Sequence, residues 1–186
     1  MILNDNDLVF AKVRPNAIIP TKDDENAGFD IYACFDEDYM VIPAHNTVLV
    51  PTGIASAMTE KYYLNVAERG STGSKGIKYS AGIIDSGYRG EIFIALSNVN
   101  DVDVIISKFS EEELFTLTPT GKRIFQESYN LPEWAKTDVI FYPYSKAIAQ
   151  LIVHEVKKMN VSEISYEELK AIPSKRRDGS LGSSGK

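Results

Sequence analysis

Residues 81–96 carry the clearest signal for the fold, and they read Ala81-Gly82-Ile83-Ile84-Asp85-Ser86-Gly87-Tyr88-Arg89-Gly90-Glu91-Ile92-Phe93-Ile94-Ala95-Leu96. Two apolar residues precede an Asp, a Ser-Gly pair and a Tyr-Arg-Gly turn, and an apolar run follows. This pattern predicts a β-hairpin whose turn holds the Asp85 carboxylate and the Tyr88 ring. The Asp could orient a water and the ring could pack on a sugar or base, but an ordinary hairpin with an Asx turn has the same residues.

Short runs rich in β-branched and aromatic residues recur along the chain. They cover residues 48–50, 62–66, 92–96, 139–142 and 151–153. Gly, Pro, Asn and Asp bound these runs, which is typical of an all-β sandwich or barrel. Two further segments fit a helix capping box, with Ser110 before Glu113 and Ser165 before Glu168. We therefore expect an all-β fold with one or two short helices, the second of which ends before Pro173.

Composition limits the possible partners. The chain has 186 residues, 44% of them hydrophobic and 25% charged, which suits one globular domain. The net charge of −6 argues against a non-specific nucleic-acid partner, since such proteins need a basic face. Cys34 is the single cysteine, so no internal disulfide can form. The sequence lacks a signal-like start and a run of about 18 apolar residues, so we expect no membrane association and a cytoplasmic or otherwise intracellular location.

Two segments can meet phosphate groups. Residues 68–77 place small and hydroxyl-bearing residues between Arg69 and Lys75, which predicts a phosphate cradle, although a flexible loop with solvated charges fits as well. The ending Gly-Lys-Ser/Thr of a P-loop is absent from this segment. Residues 174–186 place arginines before a run of Gly and Ser, and this tail should be mobile on its own.

Taken together, these segments resemble the five motifs of the trimeric dUTPase family, both in their order along the chain and in their residues. The resemblance runs from Val13 to Gly185. The stretches that carry it are 27–33, 69–77, 82–91, 148–152 and 179–185, the last with the arginines before it. Each motif alone is a weak signal, whereas five in the family's order are a strong one.

The resemblance implies a jelly-roll β subunit that assembles into a homotrimer. It implies a dUTP pyrophosphatase, which hydrolyses dUTP to dUMP and pyrophosphate with Mg²⁺. Each active site would draw residues from three chains, and the C-terminal arm of one chain would close over the nucleotide of a neighbour. The lack of a dense carboxylate cage is no objection to this chemistry, because Mg²⁺ prefers to keep waters and bind the substrate phosphates.

The resemblance also implies a role for individual residues. Asp85 matches the carboxylate that activates the attacking water, and Tyr88 matches the ring under the deoxyribose. Asp30 matches the acidic residue that meets the metal through its water shell. The backbone of three residues matches the segment that reads the uracil edge: Gly82, Ile83 and Ile84. The phosphate-binding positions match Arg69, Ser71 and Gln150, of which Arg69 and Gln150 join Asp85 as the predicted catalytic set.

The second and fourth motifs differ from the family's usual sequence. The second usually has a Ser directly after its Arg, whereas Gly70 stands there and leaves Ser71 or Thr72 to supply the hydroxyl. The fourth usually has Gly-Asp-Arg before Ile-Ala-Gln, whereas residues 145–147 read Ser-Lys-Ala. One Asp–Arg contact of the family is therefore missing.

The fifth motif departs as well. Leu181 stands where the family has a Phe that stacks on uracil, and a Leu offers no ring face. Arg176 or Arg177 supplies the motif's arginine, and counting back from Gly185 favours Arg176. Three further residues of this arm are predicted to bind substrate: Gly182, Ser183 and Ser184.

The passage from the third to the fourth motif is longer than the family's. We expect one β domain over residues 1–173, with an insertion at about 103–137, and a flexible arm over 174–186. The insertion contains several aromatic residues and Trp134, which makes it too apolar for a plain linker. It either packs on the edge of the barrel or binds a protein partner.

Two alternatives to a dUTP pyrophosphatase stay open at this point. A dCTP deaminase of the same superfamily carries a catalytic Glu in a strand before an Asn, and Ala95 occupies that place here. The other alternative is a binding or regulatory module on the same fold, which would use the insertion to engage a protein.

Overall fold

The computed structural model describes residues 2–117, 123–125 and 139–174, which form a mostly β structure with short helices. The strands are β1 (Leu8–Lys12), β2 (Phe29–Ile31), β3 (Tyr39–Ile42), β4 (Thr47–Pro51), β5 (Ile54–Met58), β6 (Tyr62–Ala67), β7 (Ile77–Tyr79), β8 (Ile83–Ile84), β9 (Phe93–Asn98), β10 (Asp103–Ser107), β11 (Phe115–Leu117), β12 (Arg123–Phe125), β13 (Val139–Pro143) and β14 (Ala149–Glu155). The helices are α1 (Gly70–Gly73), α2 (Glu111–Leu114) and α3 (Tyr166–Ala171). The all-β prediction is confirmed, and every predicted apolar run forms a strand within one or two residues of its expected bounds.

The strands form several small sheets. Two of them position the candidate site: a four-stranded sheet in the order β2-β14-β6-β8 and a three-stranded sheet in the order β4-β9-β7. A second three-stranded sheet has the order β13-β10-β3, and β1-β5 and β11-β12 are two-stranded. Among the strands described, each pair is antiparallel except β10 and β13, which run parallel.

The core follows from the alternation of apolar residues along these strands. In β6, Leu64 and Val66 are buried, whereas Asn65 and Ala67 between and after them are partly exposed. Ile94 and Leu96 of β9 are buried in the same main cluster. Burial of each large aliphatic side chain contributes about 1.5–3 kcal/mol, so the register of every strand is fixed by the face that it buries.

The helices are short and locally capped. The predicted capping boxes are both present, because the Ser110 and Ser165 hydroxyls accept from Glu113 N and Glu168 N at 3.2 Å each. Hydrogen bonds from Ser165 lower the pKa of the Glu168 carboxyl. Helix α1 was not predicted, since two glycines in four residues disfavour a helix. No helix in the described ranges has the length and apolar content that crossing a bilayer requires.

The hairpin predicted at residues 82–91 is wrong. β8 pairs with β6, whereas β9 pairs with β4 and β7 in another sheet. The segment that carries Asp85 and Tyr88 therefore crosses from one sheet to the next. Gly and Asp mark a change of chain direction without specifying which strand the next run pairs with, and for this reason the local pattern was misleading.

The chain divides after Val156 into two compact units. The first unit, residues 1–156, holds the strands listed above, and the second, residues 157–186, holds α3. The expected boundary between a domain at 1–173 and an arm at 174–186 stays a prediction.

The segment expected as an insertion begins inside the fold. Residues 103–107 form β10, the middle strand of its sheet, and Val104 and Ile106 lie in the main core. Helix α2 and the β11–β12 pair follow. Residues 118–122 and 126–138, with Trp134, lie outside the described residues, so a protein partner of this segment stays a prediction.

Gly53 generates a test of the packing. Its φ is +67°, and a Cβ there would lie 2.7 Å from Ala17 Cβ and 3.0 Å from Cys34 Sγ. We expect Gly53→Ala to lower the free energy of unfolding by about 2–5 kcal/mol, because left-handed backbone strain adds to overpacking. Urea denaturation followed by circular dichroism measures the change.

Gly70→Ala is the matched control. A Cβ at Gly70 meets nothing within 4 Å, and the residue lies in α1. Its effect should be neutral or stabilising by up to about 1 kcal/mol, since Ala favours a helix. Equal stability of the two variants would contradict the packing described around Gly53.

Candidate active site

Three strands bring distant parts of the chain into one row. Gln150 of β14 lies opposite Asp30 of β2 on one side and opposite Ala67 of β6 on the other. Residues directly opposite in a sheet project from the same face. Arg69 follows Ala67 by two residues and so continues on that face. The first, second and fourth motifs therefore meet because of the sheet order.

Asp30 and Arg69 form a bidentate ion pair. Arg69 Nε lies 2.9 Å from Asp30 Oδ1, and Arg69 Nη2 donates to Asp30 Oδ2 at 3.0 Å. The third nitrogen, Nη1, donates to the Ala147 carbonyl at 3.4 Å. Planar fork geometry of this kind holds a guanidinium in one orientation. Arg69 is thus held in place before any ligand arrives, with its side chain still partly exposed.

Two adjoining depressions surround this pair. The first has a volume of about 330 Å³ and is lined by Asn26, Ala27, Gly28, Asp30, Arg69, Gly70, Ser71 and Gln150. The second has a volume of about 380 Å³ and is lined by Asp30, Tyr32, Arg69, Ser71, Ser145, Lys146 and Ala147. The structure therefore brings together four predicted residues, Asp30, Arg69, Ser71 and Gln150.

The Gln150 side chain is fixed by backbone groups. Its Nε2 donates to the Glu68 carbonyl at 2.8 Å. Gly28 lies so close that a Cβ there would be 2.8 Å from Gln150 Oε1 and 3.0 Å from its Cβ. The amide therefore fits only because position 28 has no side chain.

The two candidates for the missing hydroxyl have different surroundings. Thr72 is 1% exposed, and its Oγ1 accepts from Arg69 N at 3.1 Å and donates to Arg69 O at 2.9 Å. Thr72 therefore caps α1, and its role as a substrate-binding residue stays a prediction. Ser71 is exposed and lines both depressions, so it is the better candidate.

Tyr142 lies beneath these residues and was predicted only as part of a strand. It is 1% exposed, and its hydroxyl donates to the Ala147 carbonyl at 2.6 Å. Burial raises the pKa of Tyr142, whereas hydrogen bonds with Ser71 and Arg69 and the Arg69 charge oppose the rise. Its neighbours Val139, Ile140 and Phe141 are all apolar, so the sequence held no signal that set this tyrosine apart.

Asp85 and Tyr88 occupy a tight turn. Tyr88 N donates to the Asp85 carbonyl at 3.0 Å, and Arg89 Nη1 donates to Ser86 O at 2.5 Å and to Tyr88 O at 3.0 Å. The Tyr88 hydroxyl donates to Glu91 O at 2.9 Å, and its side chain is substantially exposed. Asp85 is exposed as well, so a ligand can reach both side chains.

The edge strand β8 presents its backbone to the outside. Val66 N donates to Gly82 O at 2.7 Å, and Asn65 lies opposite Ile83. Antiparallel pairs alternate between bonded and non-bonded positions, so the N–H and C=O of Ile83 point away from β6. Ile84 is buried, whereas Ile83 is exposed, and β8 has no second neighbour among the strands described.

Asp85 and Arg69 lie toward opposite ends of β6. Ile84 pairs with Leu64, and Arg69 follows Leu64 by five residues. At about 3.3 Å per residue this separates the two regions by roughly 16 Å. One chain therefore does not bring the predicted water-activating carboxylate to the predicted phosphate-binding arginine.

Known proteins with a similar sequence identify the family of this chain. A model of the dUTPase family matches residues 14–110, slightly more than half of the chain. The chain belongs to the dUTPase family. The match ends before the strands β11 and β12, and the insertion expected at about 103–137 stays a prediction.

Two curated relatives of this dUTPase are both named deoxyuridine 5'-triphosphate nucleotidohydrolase. The deoxyuridine 5'-triphosphate nucleotidohydrolase of Candida albicans is 30% identical over 174 residues, covering 92% of this chain and 84% of that protein. The enzyme of the same name from Leptospira interrogans is 39% identical over 99 residues, covering 51% of this chain and 68% of that protein. The prediction of a dUTP diphosphatase is thus confirmed at the level of the family.

A solved structure shares the fold of this dUTPase. A variant of the Staphylococcus bacteriophage 80alpha dUTPase with dUpNHpp superposes with a TM-score of 0.69 at 21% identity. The match covers 97% of this chain and 99% of that chain. At this identity the likeness supports the fold alone, and it confirms the predicted dUTPase-type β architecture.

The predicted arm of this dUTPase, residues 174–186, lies outside the described residues from 175 onward. Arg176, Leu181, Gly182, Ser183 and Ser184, together with the alternative Arg177, lie outside the described residues. Their roles stay predictions.

Gly28 provides a test of the site's packing in this dUTPase. We expect Gly28→Ala to displace the Gln150 side chain, break its 2.8 Å bond to Glu68 O and lower the free energy of unfolding by about 1–3 kcal/mol. A crystal structure and thermal denaturation measure both effects. Gly87→Ala is the control, since a Cβ at Gly87 meets nothing within 4 Å. A Gln150 amide that keeps its position in Gly28→Ala would refute this account.

Proposed function

We propose that this dUTPase hydrolyses dUTP to dUMP and pyrophosphate by attack of water at the α-phosphate. The observation that carries the proposal is the preformed Arg69–Asp30 pair, with Ser71 and Gln150 around the same depression. This arrangement occurs in a chain of the dUTPase family. A fixed cation beside a hydroxyl and an amide suits a polyanionic ligand, because all three can donate to phosphate oxygens.

Arg69, Ser71 and Gln150 bind the phosphates in this proposal. Asp30 holds the Arg69 guanidinium through two bonds, so little orientational freedom is lost when phosphate arrives. Gln150 Nε2 donates one hydrogen to Glu68 O, and its second hydrogen can be donated to a ligand. Preorganised donors of this kind stabilise charge that develops during the reaction.

The residues present fit a magnesium ion that arrives with the nucleotide. In the described part of the chain no group of three or more His, Cys, Asp or Glu residues could hold an ion alone. Asp30, however, offers hard carboxylate oxygens at the edge of both depressions, where it can accept from metal-bound water. Bound Mg²⁺ would offset part of the triphosphate charge.

The nucleoside binds at β8 and the following turn. Ile83 directs a backbone N–H and C=O outward, which can pair with the donor and acceptor groups on the edge of uracil. Tyr88 lies four residues beyond Ile84, and its ring packs under the sugar. A Cβ at Gly90 would lie 2.6 Å from the Tyr88 hydroxyl oxygen, so Gly90 lets the ring occupy its position.

Asp85 acts as the general base. Its exposed carboxylate takes a proton from the attacking water as the oxygen bonds to the α-phosphorus, and the bond from that phosphorus to the bridging oxygen breaks. Pyrophosphate then leaves. General-base catalysis by a positioned carboxylate contributes about 10²–10⁴-fold to the rate.

Each site combines residues of different subunits in a homotrimer. Asp85 and Arg69 act on one nucleotide in this proposal, yet lie about 16 Å apart along β6 of one chain. A triphosphate nucleotide needs its base, water and phosphates within a shorter reach. A neighbouring chain that brings its own Asp85 turn to the Arg69 depression resolves this conflict.

Turnover of four nucleotides tests the function. With Mg²⁺ present, we expect release of pyrophosphate from dUTP and little from dCTP, dTTP or UTP. Asp85→Asn should bind dUTP but lose at least about 100-fold in kcat, since an amide cannot accept the proton. Ammonia released from dCTP would indicate a deaminase instead, and an Asp85→Asn variant with parental kcat would exclude Asp85 as the base.

Mixed assemblies test the sharing of sites. Arg69→Ala and Asp85→Asn chains should each be nearly inactive alone. Refolded together in equal amounts, they should regain about a quarter of the parental activity, because one site in four would combine an intact Arg69 with an intact Asp85 from a different chain. Each variant refolded with itself is the control. Mixtures that stay inactive would show that both residues must come from the same chain.

A further inference from the structure

The fourth motif departs from the family's pattern at a residue that contacts Arg69. Ala147 stands where the fourth motif usually has an arginine, and it is 2% exposed, so nothing at this position can reach the depression as a charged group. Arg69 is nevertheless held on its far side by the Ala147 carbonyl, to which Nη1 donates at 3.4 Å. A group that fixes the position of that carbonyl therefore also helps to fix Arg69.

The Tyr142 hydroxyl is such a group. It donates to the same Ala147 carbonyl at 2.6 Å, the shorter of the two bonds. Tyr142 belongs to β13, which is bonded to the core strand β10, and its side chain is fully buried. A rigid strand thus fixes the acceptor that Arg69 uses.

The phenol also lies near Ser71 and Arg69. Burial raises the pKa of Tyr142 and keeps the group protonated at neutral pH, while Ser71 and Arg69 oppose the rise. A protonated hydroxyl can donate to Ala147 O and accept from Ser71 at the same time. The oxygen therefore connects the two phosphate-binding side chains.

We propose that Tyr142 is a positioning residue, whose buried hydroxyl holds Arg69 and Ser71 in the orientation that binds the nucleotide phosphates. The inference rests on the proposed function, in which Arg69 and Ser71 bind phosphate. It assigns the buried phenol a role beyond packing, because a phenyl ring would fill the same space without joining these groups.

Tyr142→Phe separates the hydroxyl from the ring. Isothermal titration calorimetry with Mg²⁺ compares dUpNHpp, which carries three phosphates, with deoxyuridine, which carries none. We expect Kd for dUpNHpp to rise about tenfold and Kd for deoxyuridine to stay within about twofold of the parent. The ratio of the two constants comes from one sample, so partial unfolding, which weakens both ligands equally, leaves it unchanged.

Tyr144→Phe is the matched control. Tyr144 loses the same atom two residues along the chain, but its ring packs on Phe35 at 4.9 Å and its hydroxyl faces Cys34. We expect its ratio of constants to equal that of the parent. If Tyr144→Phe shifts the ratio as much as Tyr142→Phe does, the effect is not specific to the Arg69 and Ser71 contacts and the proposal is overturned.

A double-mutant cycle gives a second measurement. If Tyr142 acts through Ser71, the kcat/KM of Tyr142→Phe combined with Ser71→Ala should be no lower than that of the more damaging single variant. Two losses that multiply would refute the proposal. If the parent hydrolyses dUTP but Tyr142→Phe leaves the ratio of the two dissociation constants unchanged, this inference alone is overturned. A parent that binds dUpNHpp but does not hydrolyse dUTP overturns only the proposed function, and one that binds neither dUpNHpp nor deoxyuridine overturns both.

Discussion

Pairing of β14 with two partners organises the molecule. β14 lies between β2 and β6, so Gln150 faces Asp30 on one side and Ala67 on the other. Asp30 and Gln150 are more than a hundred positions apart in the sequence, and only the backbone ladder brings them into one row with Ala67. Because side chains alternate between faces, a slip of one residue in β14 would send Gln150 into the core and Leu151 to the surface. Burial of Ala149 and Leu151 prevents that slip, so packing on one face sets the geometry of the other.

Local signals in the sequence predicted the features that depend on neighbouring residues, namely the strands and the helix caps. Apolar runs became strands, and Ser110 and Ser165 capped helices through contacts three residues away. The hairpin at residues 82–91 was wrong because the choice of pairing partner is a long-range property: β8 joined β6, whereas β9 joined β4 and β7. Helix α1 was missed for a related reason. Its stability comes from the bonds between Thr72 and Arg69 and from the burial of Thr72, neither of which helix propensity measures.

In the candidate site, too, the sequence predicted some residues and missed contacts that depend on the folded structure. Asp30, Arg69, Ser71 and Gln150 were named from motifs, and the sheet brings them to adjoining depressions. Thr72 was named as an alternative hydroxyl, although its side chain is turned inward. Tyr142 was missed because nothing near it in sequence distinguishes a buried phenol with partners from one that only packs. The oxygen that it meets belongs to a residue with no functional side chain, Ala147, so a search for reactive residue types overlooks the contact.

The length of β8 has a consequence for how the chain behaves in a crowded solution. An outermost strand leaves a row of peptide groups without partners, and such a row can recruit a strand from another molecule and seed aggregates. β8 has two residues, and the turn that begins at Asp85 follows at once. So short a row is too small to template an extending strand. The brevity of β8 therefore limits pairing between molecules at an exposed sheet border.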